Sequence, residues 1–437
     1  MSSASLVRRN GRILWVSPHC WPDYVLRDGG LGIKSQGGQT VVMYRATLAL
    51  AEAFPELQVD IYARHEDGEP QVAELHPRVR IVRLPLGPTD RYFPKEDFWG
   101  PPIEGFVDEV VQYAAAKSLG YDLVHGHYAD GWYVAHQLSR RWDIPFLCST
   151  HSLGIRKRDN ALRMGEGTPD ELEAKYRFAA RIRAEQAALD AADCICPLTI
   201  EEGEYIVEKY GASPERIRVI NNGVIAEDFH PPDPSRAEAV RERLGLRPND
   251  LPLLLIARVD PRKGQRELIE AAPEVIRRVR ETAGREVKLV FVAWVDSPFA
   301  RSLEARVDEL GIGDHVIYHP PVPNARIAEF FWASAAYALS SSYDIFPIAM
   351  LEAMASGLPV VATRNGGPSE VITQGQDGYL VETTDAAALA EALVKVLVDE
   401  AERTRLGENA RRKVVERYTW DRIAQRTMKI YQELLAR

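Results

Sequence analysis

Short runs of aliphatic and β-branched residues alternate with longer stretches of helical periodicity over nearly the whole chain, the pattern of βα units built on parallel sheets. In the first half, RILWV, VDIYA, VRIVRLP, YDLVHG, PFLCST, DCICP and IRVIN predict strands, with helices in the gaps. The second half starts afresh with PLLLIARV and continues through KLVFVAWV, HVIYHPP, AYALSSS and PVVATR, so it predicts a doubly wound sheet of its own. Residues 230–250, HPPDPSRAEAVRERLGLRPND, are rich in proline and charge and fit a linker leading into a short helix. The expected organisation is a Rossmann-like domain over residues 1–229, a linker over 230–250 and a second such domain over 251–418. A terminal amphipathic helix over 419–437 is expected to pack back on the first domain. Two facing α/β domains leave a cleft, and in open α/β sheets ligands bind outside the carboxyl ends of the strands.

One stretch breaks the apolar pattern. In DIFPIAMLEAMASGLP, residues 344–359, Pro347 suits only the first turn of a helix, so Glu352 falls inside it. Its neighbours are apolar on every side, which predicts a helix buried all round and a carboxylate in need of a partner. A second acid, Asp344, lies eight residues earlier in the loop that feeds the helix.

Composition narrows the class. At 437 residues the chain exceeds one core and suits two or three domains of about 150 residues each. With 46% hydrophobic and 27% charged residues it reads as an ordinary globular protein, and a net charge of −9 argues against a general nucleic-acid binder. The longest apolar runs fall short of the ~18 residues of a membrane span, and MSSASLVRRNGRILWVS has no signal-peptide core, so a cytoplasmic location is expected. The four cysteines show no metal spacing; Cys194 and Cys196 read as buried thiols on one side of a strand.

Candidate chemistry sits at the strand exits. In RVDPRKGQ, Arg258 and Lys263 flank a turn, where a planar fork and a mobile point charge can together neutralise a diphosphate without a metal. A vicinal diol can donate two hydrogen bonds to a carboxylate, so Glu352 is expected to hold a ribose and Asp344 a sugar hydroxyl, with the exit RNGGPSE bringing Gly366 and Gly367 close by. In the first half, Gly37 and Gly38 before a helix let backbone approach a ligand. Lys95, the run Arg156, Lys157 and Arg158 after His151, and Arg181 supply cations from three separate segments, as a phosphate requires. Taken alone, each reads more readily as a solvated surface charge.

These residues carry a resemblance. The acid–x7–Glu spacing from Asp344 to Glu352, the following AMASGLPVVATRNGGPSE and the preceding R-x4-K loop resemble the donor domain of retaining glycosyltransferases of family four, which have the GT-B fold. The resemblance implies that Glu352 binds the nucleotide ribose and Arg258 with Lys263 the diphosphate, while backbone amides near Asp344 meet the sugar. SQGGQ, RYFPKE, HGHYAD, THSLGIRK and RIRAE are similar to the sucrose-phosphate synthase subgroup, which includes the mannosylfructose-phosphate synthases. That similarity places Gly38 and Gln39 on the acceptor sugar, Lys95, Lys157 and Arg181 on its phosphate, and His151 beside the transferred ring.

The chain differs from the subgroup in carrying Asp344 for glutamate, proline at 347 where glycine is frequent, KSQGGQ for DTGGQ, and Trp132 where a small residue is usual. These differences bear on the identity of donor and acceptor. The implied activity is metal-independent retaining transfer of a hexose from a nucleotide sugar, UDP-glucose first, to a sugar phosphate, fructose 6-phosphate first. GDP-mannose, ADP-glucose or free fructose would use the same mechanism. A nucleotide-sugar epimerase or a non-catalytic sugar-nucleotide sensor remain open from the residues.

Overall fold

The computed structural model describes residues 11–20, 39–65, 69–86, 94–231, 234–382 and 385–436. Described residues up to Asn221, together with those from Asp421 onward, form one compact unit, and Asn222–Trp420 form another.

In the first unit, β1 (Arg12–Val16), β2 (Gln58–His65), β3 (Gln71–His76), β4 (Val79–Pro85), β5 (Leu123–His127), β6 (Phe146–Ser149) and β7 (Cys194–Cys196) form one sheet in the order β3-β4-β2-β1-β5-β6-β7. Every pairing is parallel except β3 with β4. The central strands are buried along their length, so they read as continuous apolar runs in the sequence. Their core includes Leu14, Val16, Val124, Trp132 and Phe146.

The second unit holds β8 (Asp250–Ile256), β9 (Glu286–Val292), β10 (Val316–His319), β11 (Ala336–Leu339), β12 (Val360–Thr363) and β13 (Gly378–Val381), all parallel, in the order β10-β9-β8-β11-β12-β13. In both sheets the chain starts in the middle and then builds to either side. Strand order therefore reverses between β1 and β5 in one unit and between β8 and β11 in the other. The loops leaving these four strands are where such a sheet opens a ligand crevice.

Several expectations need correcting. The division falls after Asn221 rather than after 229. The stretch 230–250 is part of the second unit, because Val240 of the helix Pro234–Arg243, with Leu246, packs on Ala333. IRVIN forms no strand, only a single bridge from Ile217 to Ile195. β3 and β13 went unpredicted. Pro347 caps the helix Ile348–Ala355 from outside, with φ −71° and ψ 120°, rather than occupying its first turn. Nor is that helix buried all round: Ile348, Ala349 and Glu352 lie on one half-buried face, while Met350, Leu351, Ala353, Met354 and Ala355 are buried.

All four cysteines are buried thiols outside any disulfide, with the Cys194 and Cys196 sulfurs 3.6 Å apart. Among the described residues no helix is long and apolar enough to cross a membrane.

Candidate active site

In the second unit the exits of β8 and β11 are stitched together. Gly264 has φ +74°, and a Cβ there would lie 2.1 Å from the Ser340 carbonyl oxygen, so only glycine lets the two loops cross. The Ser340 hydroxyl donates to Gly264 O at 2.6 Å, and the Ser342 N–H to Arg262 O at 2.9 Å. Asp260 binds Arg262 through both carboxylate oxygens, at 3.0 and 2.8 Å. Burial would raise the Asp260 carboxyl, but its bonds to Arg262 and the charge of Arg258 hold it down at about 2. Arg262 is thus committed within its own turn, and Arg258 is exposed.

Lys263 is half-buried and ion-pairs with Asp344 Oδ1. Oδ2 of Asp344 is buried without a hydrogen-bond partner among the described residues. The Asp344 N–H donates to Asn365 Oδ1 at 3.0 Å. Burial, with the charges of Asp344 and Glu352, pushes the Tyr337 hydroxyl up, which places both acids near this tyrosine of β11. Gly366 and Gly367 serve packing: their Cβ atoms would lie 2.2 Å from Asp344 O and 2.8 Å from Ile345 O, so they hold the Asp344 loop against the exit of β12.

In the first unit, β5 runs straight into the helix Tyr128–Trp142, and Tyr128 takes φ +65° to make that corner. A bulky residue in the left-handed region is strained, a feature that concentrates at functional sites. Three cations converge on it. The Lys95 ammonium and the Arg181 guanidinium carbon each lie 4.6 Å from the Tyr128 ring centroid. Burial would raise the Tyr128 hydroxyl, but the charges of Arg181, Lys95 and Lys157 outweigh it and bring it down to about 8. Burial lowers Lys157, whose ammonium sits 4.3 Å from the Tyr176 ring centroid.

The cations differ in their commitments. Arg181, 4% exposed, donates from Nε to Glu185 at 2.7 Å, from Nη1 to the Tyr128 hydroxyl at 2.9 Å and from Nη2 to Ser152 O at 2.8 Å. Arg156 and Arg158 are paired with Glu201 and Asp159. Lys95 and Lys157 have no ion pair with a carboxylate among the described residues. Glu185 also accepts the Gly154 N–H through both oxygens, at 3.0 and 2.9 Å, which anchors the helix that carries Lys157.

His151 follows β6, with Nε2 2.9 Å from His127 Nδ1, and burial lowers it to about 3, so it is neutral. His127 stacks on Trp15, and beside them the Tyr431 hydroxyl of the C-terminal helix accepts from Trp15 Nε1 at 2.9 Å and pairs with His125 Nδ1 at 2.7 Å. Gln39 donates to the Ser17 hydroxyl at 2.9 Å in the loop after β1. Gly38 lies outside the described residues. Trp132 is fully buried and donates to Ser149 O at 2.8 Å; it belongs to the core, so the link drawn from it to acceptor identity does not stand. Tyr128, Glu185, His19 and Asp130 carried no expectation, although HGHYAD and RIRAE contain three of them.

Two parallel-sheet Rossmann-like units with polar groups gathered at their switch points define the GT-B architecture, and the chain belongs to the GT-B glycosyltransferases. Residues 37–223 match the family described as Glycosyl transferase 4-like domain, and residues 237–413 match Glycosyl transferases group 1. A D-inositol 3-phosphate glycosyltransferase from Xylanimonas cellulosilytica is 33% identical, over 98% of each chain. A mannosylfructose-phosphate synthase from Agrobacterium fabrum is 28% identical, over 98% of this chain and 92% of its own. The structure of a sucrose-phosphate synthase from Thermosynechococcus elongatus superposes with a TM-score of 0.79 at 28% identity, covering 97% of this chain and 99% of that one.

Proposed function

We propose that this glycosyltransferase moves a hexose, with retention and without a metal, from a nucleotide sugar to a phosphorylated acceptor, UDP-glucose and fructose 6-phosphate being the first pair to test. The observation that carries this reading is the convergence of Lys95, Lys157 and Arg181 on the Tyr128 hydroxyl. These three cations face two buried carboxylates, Glu185 and the His19-bound Asp130, and the weaker influence of Glu96, so the desolvated site keeps an excess of positive charge that an anion would balance. A phosphate on the acceptor supplies it.

On the donor side, Arg258 and Lys263 take the diphosphate, Glu352 the ribose diol and Asp344 a hydroxyl of the sugar, while neutral His151 borders the transferred ring. The bond from the anomeric carbon to the diphosphate breaks with its electrons on the diphosphate oxygen. The acceptor oxygen bonds to that carbon, and its proton passes to the departing phosphate. Charge develops where Arg258 and Lys263 act, the placement that lowers a barrier rather than only improving binding.

A second acceptor, inositol 3-phosphate, is favoured by the 33% identical relative named for it. UDP-glucose, GDP-mannose and ADP-glucose crossed with fructose 6-phosphate, inositol 3-phosphate and free fructose, with the product anomer read by NMR, test the reading. The phosphate should be worth at least ~100-fold in kcat/KM, after discounting non-additive charge-assisted bonds. Lys157→Ala should erase much of that gap. Phosphorylated and free acceptors used within about tenfold of each other would refute the phosphate site.

A further inference from the structure

His19 lies in the turn after β1, where strand order reverses, and none of the roles above uses it. Its Nδ1 is 2.9 Å from each carboxylate oxygen of Asp130, and its backbone N–H donates to Asp130 Oδ2 at 2.9 Å. Asp130 is 2% exposed, and among the described residues it hydrogen-bonds to His19 alone. An ionised carboxylate only accepts, so this contact keeps the proton on Nδ1 and leaves a lone pair on Nε2. Nε2 makes no hydrogen bond among the described residues. The imidazole side chain is 16% exposed, and its ring leans on Tyr128 with 4.5 Å between centroids. This contact sets the lone pair one side chain away from the cations that meet at the Tyr128 hydroxyl.

Five groups face this imidazole: Asp130, Lys95, Arg64, the neutral His151 and the Tyr128 ring. Burial outweighs the pull of Asp130 and lowers the ring below the usual histidine range, so it stays neutral at neutral pH. A neutral acceptor suits a substrate that carries a phosphate nearby. A carboxylate in the same place would also receive a hydroxyl, but its charge would oppose the phosphate.

Resting on the reading of the Tyr128 cluster as a phosphate site, we propose that His19 Nε2 accepts a hydrogen bond from one hydroxyl of the phosphorylated acceptor, with Asp130 as the positioning residue that fixes the imidazole tautomer. His19 then selects for the configuration of the acceptor, while the cations select for its phosphate.

The test uses the full chain and whichever of fructose 6-phosphate and inositol 3-phosphate the wild type prefers, together with the single-deoxy analogues of that compound. In the wild type, loss of one particular hydroxyl should lower kcat/KM about tenfold more than loss of any other. In His19→Ala the intact acceptor and that analogue should be used equally. His19→Gln, whose amide reaches the place of Nε2, should recover part of the difference. In Asp130→Asn the ring is free to turn over and the discrimination should fall although His19 is present. Wild-type discrimination should also vanish in acid, where a protonated imidazole has no lone pair to offer. Discrimination that persists in folded His19→Ala or Asp130→Asn, or that is absent from the wild type, overturns the proposal alone. Absence of any phosphate preference in the wild type overturns the parent reading, and this one with it.

Discussion

Lys263 and Asp344 come from the exits of two neighbouring strands and form an ion pair, while the second oxygen of Asp344 is buried without a partner among the described residues. The pair holds an ammonium at the switch point of the sheet and leaves an acceptor atom beside it. A diphosphate and a sugar hydroxyl would satisfy these two groups together.

Lys263→Ala should therefore lower kcat more than it raises the donor KM, by on the order of 10²–10³, as for other groups that act where charge develops. Steady-state rates with the donor varied at saturating acceptor check this. An unchanged kcat in a variant of wild-type stability would remove Lys263 from the chemistry.

Glu352 lies on the half-buried face of its helix, close enough to share with Asp344 an effect on Tyr337. Glu352→Gln keeps the volume and gives up the charge, so it should weaken nucleoside diphosphate binding by about 1.5–3 kcal/mol, the range of a charge-assisted hydrogen bond. Calorimetry with UDP, GDP and ADP measures this directly. Equal affinities in variant and wild type would make Glu352 a structural acid.

Burial would raise the Tyr128 hydroxyl, but Arg181, Lys95 and Lys157 outweigh it and pull the group down to about 8, against ~10 for a free tyrosine. Its lowered value favours the ionised form in the folded state, so this contribution to stability is absent below about pH 8, grows through the window and is complete above ~10. Acceptor binding has the opposite sign, because a phenolate competes with the phosphate for Lys95, Lys157 and Arg181. Acceptor KM should rise by up to about tenfold per pH unit above 8 in the wild type and stay flat in Tyr128→Phe. A wild-type profile that matches the variant would mean that no anion of the substrate reaches this hydroxyl.

How far these features could be read from the chain depends on what each one needed. RILWV coincides with β1 because a strand buried on both faces leaves an uninterrupted apolar run. QVAELH hid β3, an edge strand paired antiparallel and alternating between half-buried and exposed, which reads as a polar loop. GYLV, opening on glycine and four residues long, carried too little signal to mark β13. The basic loops stood out only together, because cations recur in three separated segments, Lys95, Arg156 to Arg158 and Arg181. Their meeting point did not, since Tyr128 reads as a core aromatic and nothing in HGHYAD announces a positive φ. The contact between His19 and Asp130 joins residues 111 apart, which no local pattern encodes.

Trp132 gives the sharpest contrast between the two readings. As a large residue in place of a small one it looked like a determinant of acceptor choice, yet its side chain is wholly inside the core and its indole N–H satisfies Ser149 O. Trp132→Ala should then cost about 3–5 kcal/mol of stability through the cavity it leaves. Trp132→Phe keeps most of the volume and loses the N–H, which leaves a buried carbonyl unpaired at a cost of about 1–3 kcal/mol. In both variants the ratio of kcat/KM for fructose 6-phosphate to that for inositol 3-phosphate should stay at the wild-type value, because the side chain does not reach a ligand. Urea unfolding and a two-acceptor competition assay measure the two quantities side by side. A shifted acceptor ratio with undiminished stability would put Trp132 back among the residues that choose the substrate.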